Sequence, residues 1–262
     1  HRSVHLKTSG SIGYIEIAET SIFDEEKINL LVKDSDICVN LIGILFEKNK
    51  ANSFENIHTN FPDLLSRLCN KHNTHLINFS ALGLEKALDS NYAISKINGE
   101  KKIMQNHNKS VILKPSIVFS VSDSFTTKFL GILSNLPIIP IYYNGQTKFT
   151  PIHASEVADI IYHIISKGIT EKSIEVIGPE VLSFKEMIEV LLKCINKKRI
   201  LLPLPNSIAK ISTYFLQKLP NPPITLDQFR LLKYHNVQSQ NGITNFSIGC
   251  PSKIKFEEGV LK

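Results

Sequence analysis

The chain has 262 residues, 42% hydrophobic and 21% charged, enough to bury a full core, which excludes a disordered tail, a disulfide miniprotein and a collagen-like fibre. No uncharged apolar run reaches the roughly 18 residues of a membrane span; the longest, Ile37 to Phe46, is broken by Asn40. The net charge is +6, but of 30 Lys and Arg only four are arginines, leaving 26 scattered lysines. That pattern suits solubility or a weak pull toward anionic surfaces and argues against nucleic acid as a partner.

Short β-branched apolar runs alternate with segments of helical period, the pattern of an α/β, doubly wound parallel sheet covered on both faces. In chain order the expected elements are a strand over 14–17, a helix over 23–33, a strand over 36–44 and a helix over 54–71. A strand over 75–80, a helix over 92–106, a strand over 110–114 and a helix over 124–134 follow. Around Pro137 and Pro140 the chain is too proline-rich for a central strand and reads as a connector or edge. Beyond it come a helix capped by Ser155, a strand over 173–177, and a helix whose Ser183 and Glu186 fit a capping box. The boundary this implies separates residues 1–135, the doubly wound region, from residues 136–262, a smaller C-terminal α/β substrate or lid region. In the tail, Ile208, Ile211, Phe215 and Leu219 share one helical face flanked by Lys210 and Lys218. Such a face docks on a partner or a membrane surface, or packs on its own domain, and own-domain packing is the expectation. The cluster Pro220, Pro222 and Pro223 ends that helix.

The four cysteines, Cys38, Cys69, Cys194 and Cys250, form no CxxC pair, which reads as a reducing, cytoplasmic setting. Cys69, His72 and His75 are three residues apart, but this spacing runs off a helix end into a strand without a fourth ligand, so no metal is expected.

Tyr92 and Lys96 stand one helical turn apart. In a nicotinamide enzyme the lysine holds ribose hydroxyls and lowers the tyrosine pKa, so that the phenol passes a proton as a hydride moves. The spacing alone is cheap: 7 tyrosines and 26 lysines in 262 residues give about 0.7 such pairs (7 × 26/262), and Tyr214 with Lys218 is a second. Context favours the first, because its helix follows a strand ending in Ser80, and the carboxyl ends of strands are where doubly wound sheets bind ligands. Ser80 to orient a substrate oxygen, Tyr92 as acid/base and Lys96 as ribose clamp are the candidate catalytic residues.

Strand, serine, then Tyr-x-x-x-Lys resembles the short-chain dehydrogenase/reductase superfamily. More narrowly, Val39 to Leu45, Phe79 to Gly83, Gly99-Glu100, Lys114 to Phe119, Gly178 to Glu180 and Leu226 to Gln228, in that order, resemble its atypical, epimerase/dehydratase-like branch. That branch includes the nucleotide-binding accessory subunit of respiratory complex I and its bacterial relatives. The resemblance spans residues 1 to about 250. It implies a Rossmann-like fold and an NADP(H) or NAD(H) cofactor retained mainly as a structural element. It places Asn40, Leu41 and Gly43 against the adenosine half or the phosphates, and Ser80, Ala81, Tyr92, Lys96, Pro115, Ser116 and Val118 along the nicotinamide half. Three departures stand out: Lys114 where an arginine is usual, Ser120 for a glycine, and His153 to Glu156 for a segment ending in aspartate.

The resemblance also implies a first strand, glycine-rich turn and helix whose amino end grips the pyrophosphate, and no such unit is written here. Gly10 to Gly13 reads as a turn. The first βαβ unit is thus expected to be lacking, cofactor binding to be weak, and Arg2 to be a marginal candidate for a 2′-phosphate. The leading expectation is an NAD(P)-binding oxidoreductase-like protein of the complex I accessory-subunit type, docking through its C-terminal region on complex I or a membrane-surface partner, hence peripheral at the inner membrane. The rivals are a free-standing NAD(P)-dependent epimerase/dehydratase or reductase using Ser80, Tyr92 and Lys96, and a non-functional remnant or half of a split protein with a separately encoded N-terminal fragment. The richness in lysine, asparagine and isoleucine points to an AT-rich, bacterial genome.

Overall fold

The structure, a computed structural model, describes residues 6, 11, 13–121, 123–219 and 222–261. The expectations placed on Arg2, on the Gly10 to Gly13 turn in part, and on Pro220 lie outside the described residues. The first elements are α1 (Glu25–Lys33), β1 (Ile37–Asn40), α2 (Phe61–His72), β2 (His75–Phe79), α3 (Asn91–Asn106) and β3 (Ser110–Pro115). Then come β4 (Val118–Phe119), α4 (Ser124–Asn135), β5 (Ile138–Ile141), β6 (Lys148–Phe149), β7 (Ile152–His153), α5 (Ala154–Lys167) and β8 (Ser173–Val176). The last are β9 (Leu182–Ser183), α6 (Phe184–Cys194), β10 (Ile200–Pro203), α7 (Asn206–Leu216), α8 (Leu226–Leu231) and α9 (Phe256–Leu261).

The main sheet is parallel, in the order β1-β2-β3-β8. Alternation along β2 sends Leu76 to one face and Ile77 to the other. Leu76 joins Ile28, Val32, Phe61, Leu65 and Ile103 from α1, α2 and α3, whereas Ile77 joins Val111, Leu113 and Ile174 beneath Val157, Ile160 and Ile164 of α5. The sheet is therefore covered on both faces, the doubly wound arrangement that the alternation of short runs and helical segments predicts.

Local chemistry moves several boundaries. The strand from Asp36 stops at Asn40 because Asn40 Oδ1 accepts the Ile42 N–H at 3.1 Å and turns the chain out of the sheet. Residues 15–20 carry no regular structure, so the strand expected over 14–17 is not formed; among the described residues no strand lies there to take its backbone hydrogen bonds, and Tyr14 faces solvent. The helix expected over 54–71 is two segments. A π-helical turn, Glu55–Asn60, precedes α2, since Pro62 has no N–H for the His58 carbonyl and the register widens there. The helix expected from Ser155 begins at Ala154, capped by His153, whose Nδ1 accepts the Ser155 N–H at 3.3 Å.

Capping chemistry holds where it is local: Ser183 and Glu186 make the reciprocal capping box at the start of α6. Among the described residues β5 pairs only with β10, in a separate parallel ribbon, in keeping with two prolines in its neighbourhood. A second core, built from Phe119, Leu133, Met187, Ile188, Leu191 and Phe256, ties α4, α6 and α9 together. The expectation that the apolar face of the tail helix packs on its own domain is corrected. α7 turns Ala209 and Thr213 inward and leaves Ile208, Ile211, Phe215 and Leu219 in solvent, because the small residues permit the closer approach to Tyr142 and Phe229.

Gly99 of α3 lies against the His58 backbone so tightly that a Cβ there would sit 1.9 Å from the His58 carbonyl oxygen, whereas one on Gly131 of α4 would meet nothing within 4 Å. Gly99→Ala is expected to cost on the order of 3 kcal/mol or more through backbone displacement. Gly131→Ala is expected to add about 0.5–1 kcal/mol through helix propensity. Chemical denaturation of the two variants beside the parent chain checks both signs.

Candidate functional site

The carboxyl ends of β1, β2 and β3 and the amino end of α3 converge. Asn40, last in β1, donates from Nδ2 to Asn78 Oδ1 at 2.7 Å, and the two residues are register partners across the ladder. This buried amide pair fixes where the chain leaves the sheet. Leu41 and Gly43 in the following loop are exposed.

Ser80 follows β2 and its N–H donates to Leu113 O at 2.8 Å. Its hydroxyl donates to Glu100 Oε1, while Glu100 Oε2 lies 2.9 Å from Lys114 Nζ; Glu85 Oε1 takes the other side of that ammonium at 2.5 Å. Burial works against the Lys114 charge, but Glu100 and Glu85 outweigh it and hold its pKa above the ordinary lysine value. A lysine thus performs the ion-pairing role at the position where the resemblance implies arginine.

The amino end of α3 is held by a distant carboxylate. Asp227 Oδ2 accepts the Ser90 hydroxyl at 2.7 Å and the Tyr92 N–H at 3.0 Å, and Oδ1 accepts the Asn91 N–H at 2.7 Å. An anion at orphan helix amides is favoured by both hydrogen bonding and the helix dipole. Tyr92 packs edge-on against Phe54 and His58, with centroids 5.8 and 5.1 Å away. The sequence led to an expectation of a lowered Tyr92 pKa under the influence of Lys96. The structure reverses it: burial, and then the Asp227 charge, push the phenol up to about 12, so it stays protonated.

Lys96 is buried, and its Nζ donates to Phe79 O at 3.0 Å. Burial lowers its pKa to about 8 in spite of Glu100. A Cβ on Gly43 would come within 3.5 Å of this ammonium and 3.8 Å of His58 Nε2, so the loop after β1 passes directly by both. His58 carries no recognisable sequence signal, yet it fastens the loop: Nε2 accepts the Ile44 N–H at 3.1 Å. That leaves the proton on Nδ1, which donates to Ser95 Oγ at 3.0 Å, and Ser95 in turn donates to the Tyr92 carbonyl at 2.8 Å. Burial first, then Lys96, push the His58 pKa down to about 3, which keeps the ring neutral.

Of the other candidates, Ala81 packs in the same apolar cluster as Tyr92, and Pro115 O accepts the Leu82 N–H at 2.9 Å. Ser116 is turned to the C-terminal segment: its hydroxyl donates to Asn236 Oδ1 at 2.5 Å and accepts the Thr150 N–H at 3.1 Å. Val118 leaves in β4, packing against the α5 face of the sheet. His72 is bonded to Asn29 at 2.9 Å and Cys69 is buried in the core. Among the described residues no three His, Cys, Asp or Glu side chains are grouped to hold a metal ion.

A nicotinamide nucleotide fits one part of this arrangement. Lys96 is a buried ammonium with, among the described residues, a single hydrogen-bond acceptor, beside a residue without a side chain, and its remaining donors suit ribose hydroxyls. No strand, glycine-rich turn and helix unit for a pyrophosphate occurs among the described residues.

The fold is that of NAD(P)-dependent reductases and epimerases with a Rossmann-like sheet. The Bacillus cereus UDP-glucuronic acid 4-epimerase, solved with UDP-glucuronic acid and NAD, superposes with a TM-score of 0.71 at 14% identity over 99% of this chain and 83% of that one. The Bacillus anthracis dTDP-4-dehydrorhamnose reductase, solved with NADP, gives 0.63 at 14% identity over 92% and 84%. In sequence the chain is related to NADH dehydrogenase (ubiquinone) 1 alpha subcomplex subunit 9 of mitochondria. It is 28% identical to the Dictyostelium discoideum protein over 235 residues, 88% of this chain, and 24% identical to the Arabidopsis thaliana protein over 252 residues, 91% of this chain. It spans 64% and 62% of the lengths of those two relatives. No family model matches it.

Two measurements probe this geometry. With a folded pKa near 8 against an ordinary 10.5, Lys96 opposes folding below pH 8, where it is charged in both states. That cost is relieved as pH rises to about 10.5, because the unfolded chain then binds the extra proton. Lys96→Met is expected to remove a rise in stability of roughly 3 kcal/mol over that interval, read from urea midpoints. Glu100→Gln is expected to lower stability by about 2 to 3 kcal/mol at neutral pH, less than for a wholly isolated buried charge because Glu85 still faces Lys114. Calorimetric melting reads this loss directly.

Proposed function

We propose that the chain is an accessory subunit of a respiratory NADH dehydrogenase, with NADP(H) or NAD(H) held as a structural element rather than turned over. The observation that carries this reading is the state of the acid/base groups. The Ser80 hydroxyl is spent on Glu100, and Tyr92 is held as a phenol by burial and Asp227, while Lys96 retains free donors. Such a site orients and retains a nucleotide, but its phenol is not poised to act as a base near neutral pH. The relationship to the complex I subunits supports the assembly, and the fold of NAD- and NADP-bound reductases and epimerases supports the cofactor class.

In this reading Lys96 holds the ribose hydroxyls. Asn40 shapes the loop in which Leu41 and Gly43 lie against the adenosine half or the phosphates, and Ala81, Pro115 and Val118 supply apolar lining. Ser116 contributes backbone only, since its hydroxyl is engaged by Asn236. Bound here, a nicotinamide ring would supply hydride exchange, and the residues around it keep it in place. Affinity is weak in this reading because the described residues offer a cation but no glycine-rich anion cradle. The chain sits peripherally at the inner membrane on its partner; among the described residues no helix is long and apolar enough to cross a bilayer.

Titrating NADPH and NADH while following the melting temperature tests the cofactor. The expected result is a shift only toward millimolar nucleotide, retained in Tyr92→Phe and lost in Lys96→Met. Micromolar affinity overturns the weak binding, and turnover abolished by Tyr92→Phe overturns the structural role in favour of an epimerase or reductase. Co-purification with membrane-bound NADH dehydrogenase tests the assembly, and absence from that fraction at low salt counts against it.

A further inference from the structure

α7 is built inside out for a helix on a monomer's surface. Its buried positions are Ala209 and Thr213, one turn apart, while Ile208, Ile211 and Phe215 lie on the opposite side, with Ile211 60% and Phe215 63% exposed. Tyr214 and Leu219 extend the same face, and Lys218 Nζ lies 4.6 Å above the Tyr214 ring and 5.8 Å from the centre of Phe215. The preceding strand, β10, continues the exposure with Ile200 at 64% and Leu202 at 46%. Its neighbour β5 adds Ile138.

Hydrogen bonds tie β10 and the segment beyond α7 to the same helix, α4: Arg199 donates to Leu133 O and Ser134 O, Lys197 donates to Ser134 O, and Lys128 donates to Pro222 O. Scattered single apolar residues on a surface mean nothing, but five large apolar side chains exposed between Ile208 and Leu219 call for a covering.

Charge identifies the covering. Between Glu189 and Asp227 the chain carries Lys193, Lys197, Lys198, Arg199, Lys210 and Lys218 and no carboxylate. Between Asp123 and Glu156 it carries Lys128 and Lys148 and again no carboxylate. The bordering acids are occupied: Glu189 faces Lys185 at 3.7 Å, and Asp227 is turned inward onto Ser90 and the start of α3. The stretch that carries the apolar face therefore has six cations and no acid of its own, Lys193 among them pairing with Glu257. A protein partner that covers Ile and Phe side chains does not require this one-sided charge. A phospholipid leaflet does: apolar side chains enter the acyl boundary, an aromatic ring and lysines lie at headgroup level, and each cation near an anionic surface strengthens the attachment.

We propose that α7, with β10 and β5 beside it, is an interfacial anchor that lays the chain on an anionic lipid leaflet. This names the surface on which the proposed accessory subunit sits, and so rests in part on that reading, but neither the face nor its test involves Lys96, Tyr92 or the cofactor.

The experiment is flotation of the full chain with vesicles of phosphatidylcholine alone and with about 30 mol% phosphatidylglycerol. The expected result is binding to the anionic vesicles that weakens with salt and is at least tenfold poorer for phosphatidylcholine. Ile211→Ser with Phe215→Ser should abolish it, and Lys210→Glu with Lys218→Glu should weaken it roughly tenfold or more. All four side chains are exposed, so unchanged melting temperatures are expected to show that the fold is intact. Binding that ignores lipid charge overturns the proposal. So does a lack of vesicle binding, whether the apolar face instead mediates a dimer that Phe215→Ser dissolves or serves a protein contact whose loss removes the chain from the NADH dehydrogenase fraction. Cofactor titration of the same variants, expected unchanged, separates failure of the anchor from failure of the nucleotide reading.

Discussion

The carboxyl end of the sheet depends on one buried carboxylate. Glu100 faces Lys114 across 2.9 Å and accepts the Ser80 hydroxyl, joining β2, β3 and α3 at the point where the three elements meet. Remove its charge and two of those elements lose their common partner, with Lys114 left largely buried beside a single remaining acid. A buried pair of this kind is a modest source of net stability, since desolvation consumes most of the Coulomb gain. Its value is geometric: only one relative placement of strand and helix satisfies all three groups.

That geometry also decides the chemistry. A proton-transferring tyrosine needs a pKa within reach of neutrality, and a substrate-orienting serine needs a free hydroxyl. Burial beside Phe54 and His58, together with the Asp227 charge, drives Tyr92 away from neutrality, and Glu100 takes the serine. Retention of a ligand and its transformation make opposite demands on the same three side chains, and in the proposed reading the arrangement serves retention.

Much of the fold is legible in the sequence where the signal is local. The β-branched runs at His75–Phe79, Ser110–Pro115 and Ser173–Val176 are strands, and Ser183 with Glu186 marks the start of α6. Legibility ends where partners are distant or where periodicity has two meanings. Asp227 reaches Ser90 from 137 positions away, so no spacing reveals that it caps α3. His58 looks like an ordinary helical residue until the π-helical turn before Pro62 brings it to the loop at Ile44. The apolar stripe of α7 has the spacing of a core face, yet the closer approach permitted by Ala209 and Thr213 puts it in solvent. Periodicity reports that a face is apolar, not which neighbour it meets.

The Asp227 contact joins more than a helix and its cap. Leu226, its neighbour, donates its N–H to Gln217 Oε1 at 3.3 Å, just beyond the end of α7, while Asp227 itself holds the amides of Asn91 and Tyr92. Gln217, at the end of the outer helix, and the backbone of Asn91 and Tyr92 are thus held by two adjacent residues, Leu226 and Asp227. The periphery and the start of α3 share one short segment, with the Leu226–Asp227 pair as their common point of attachment.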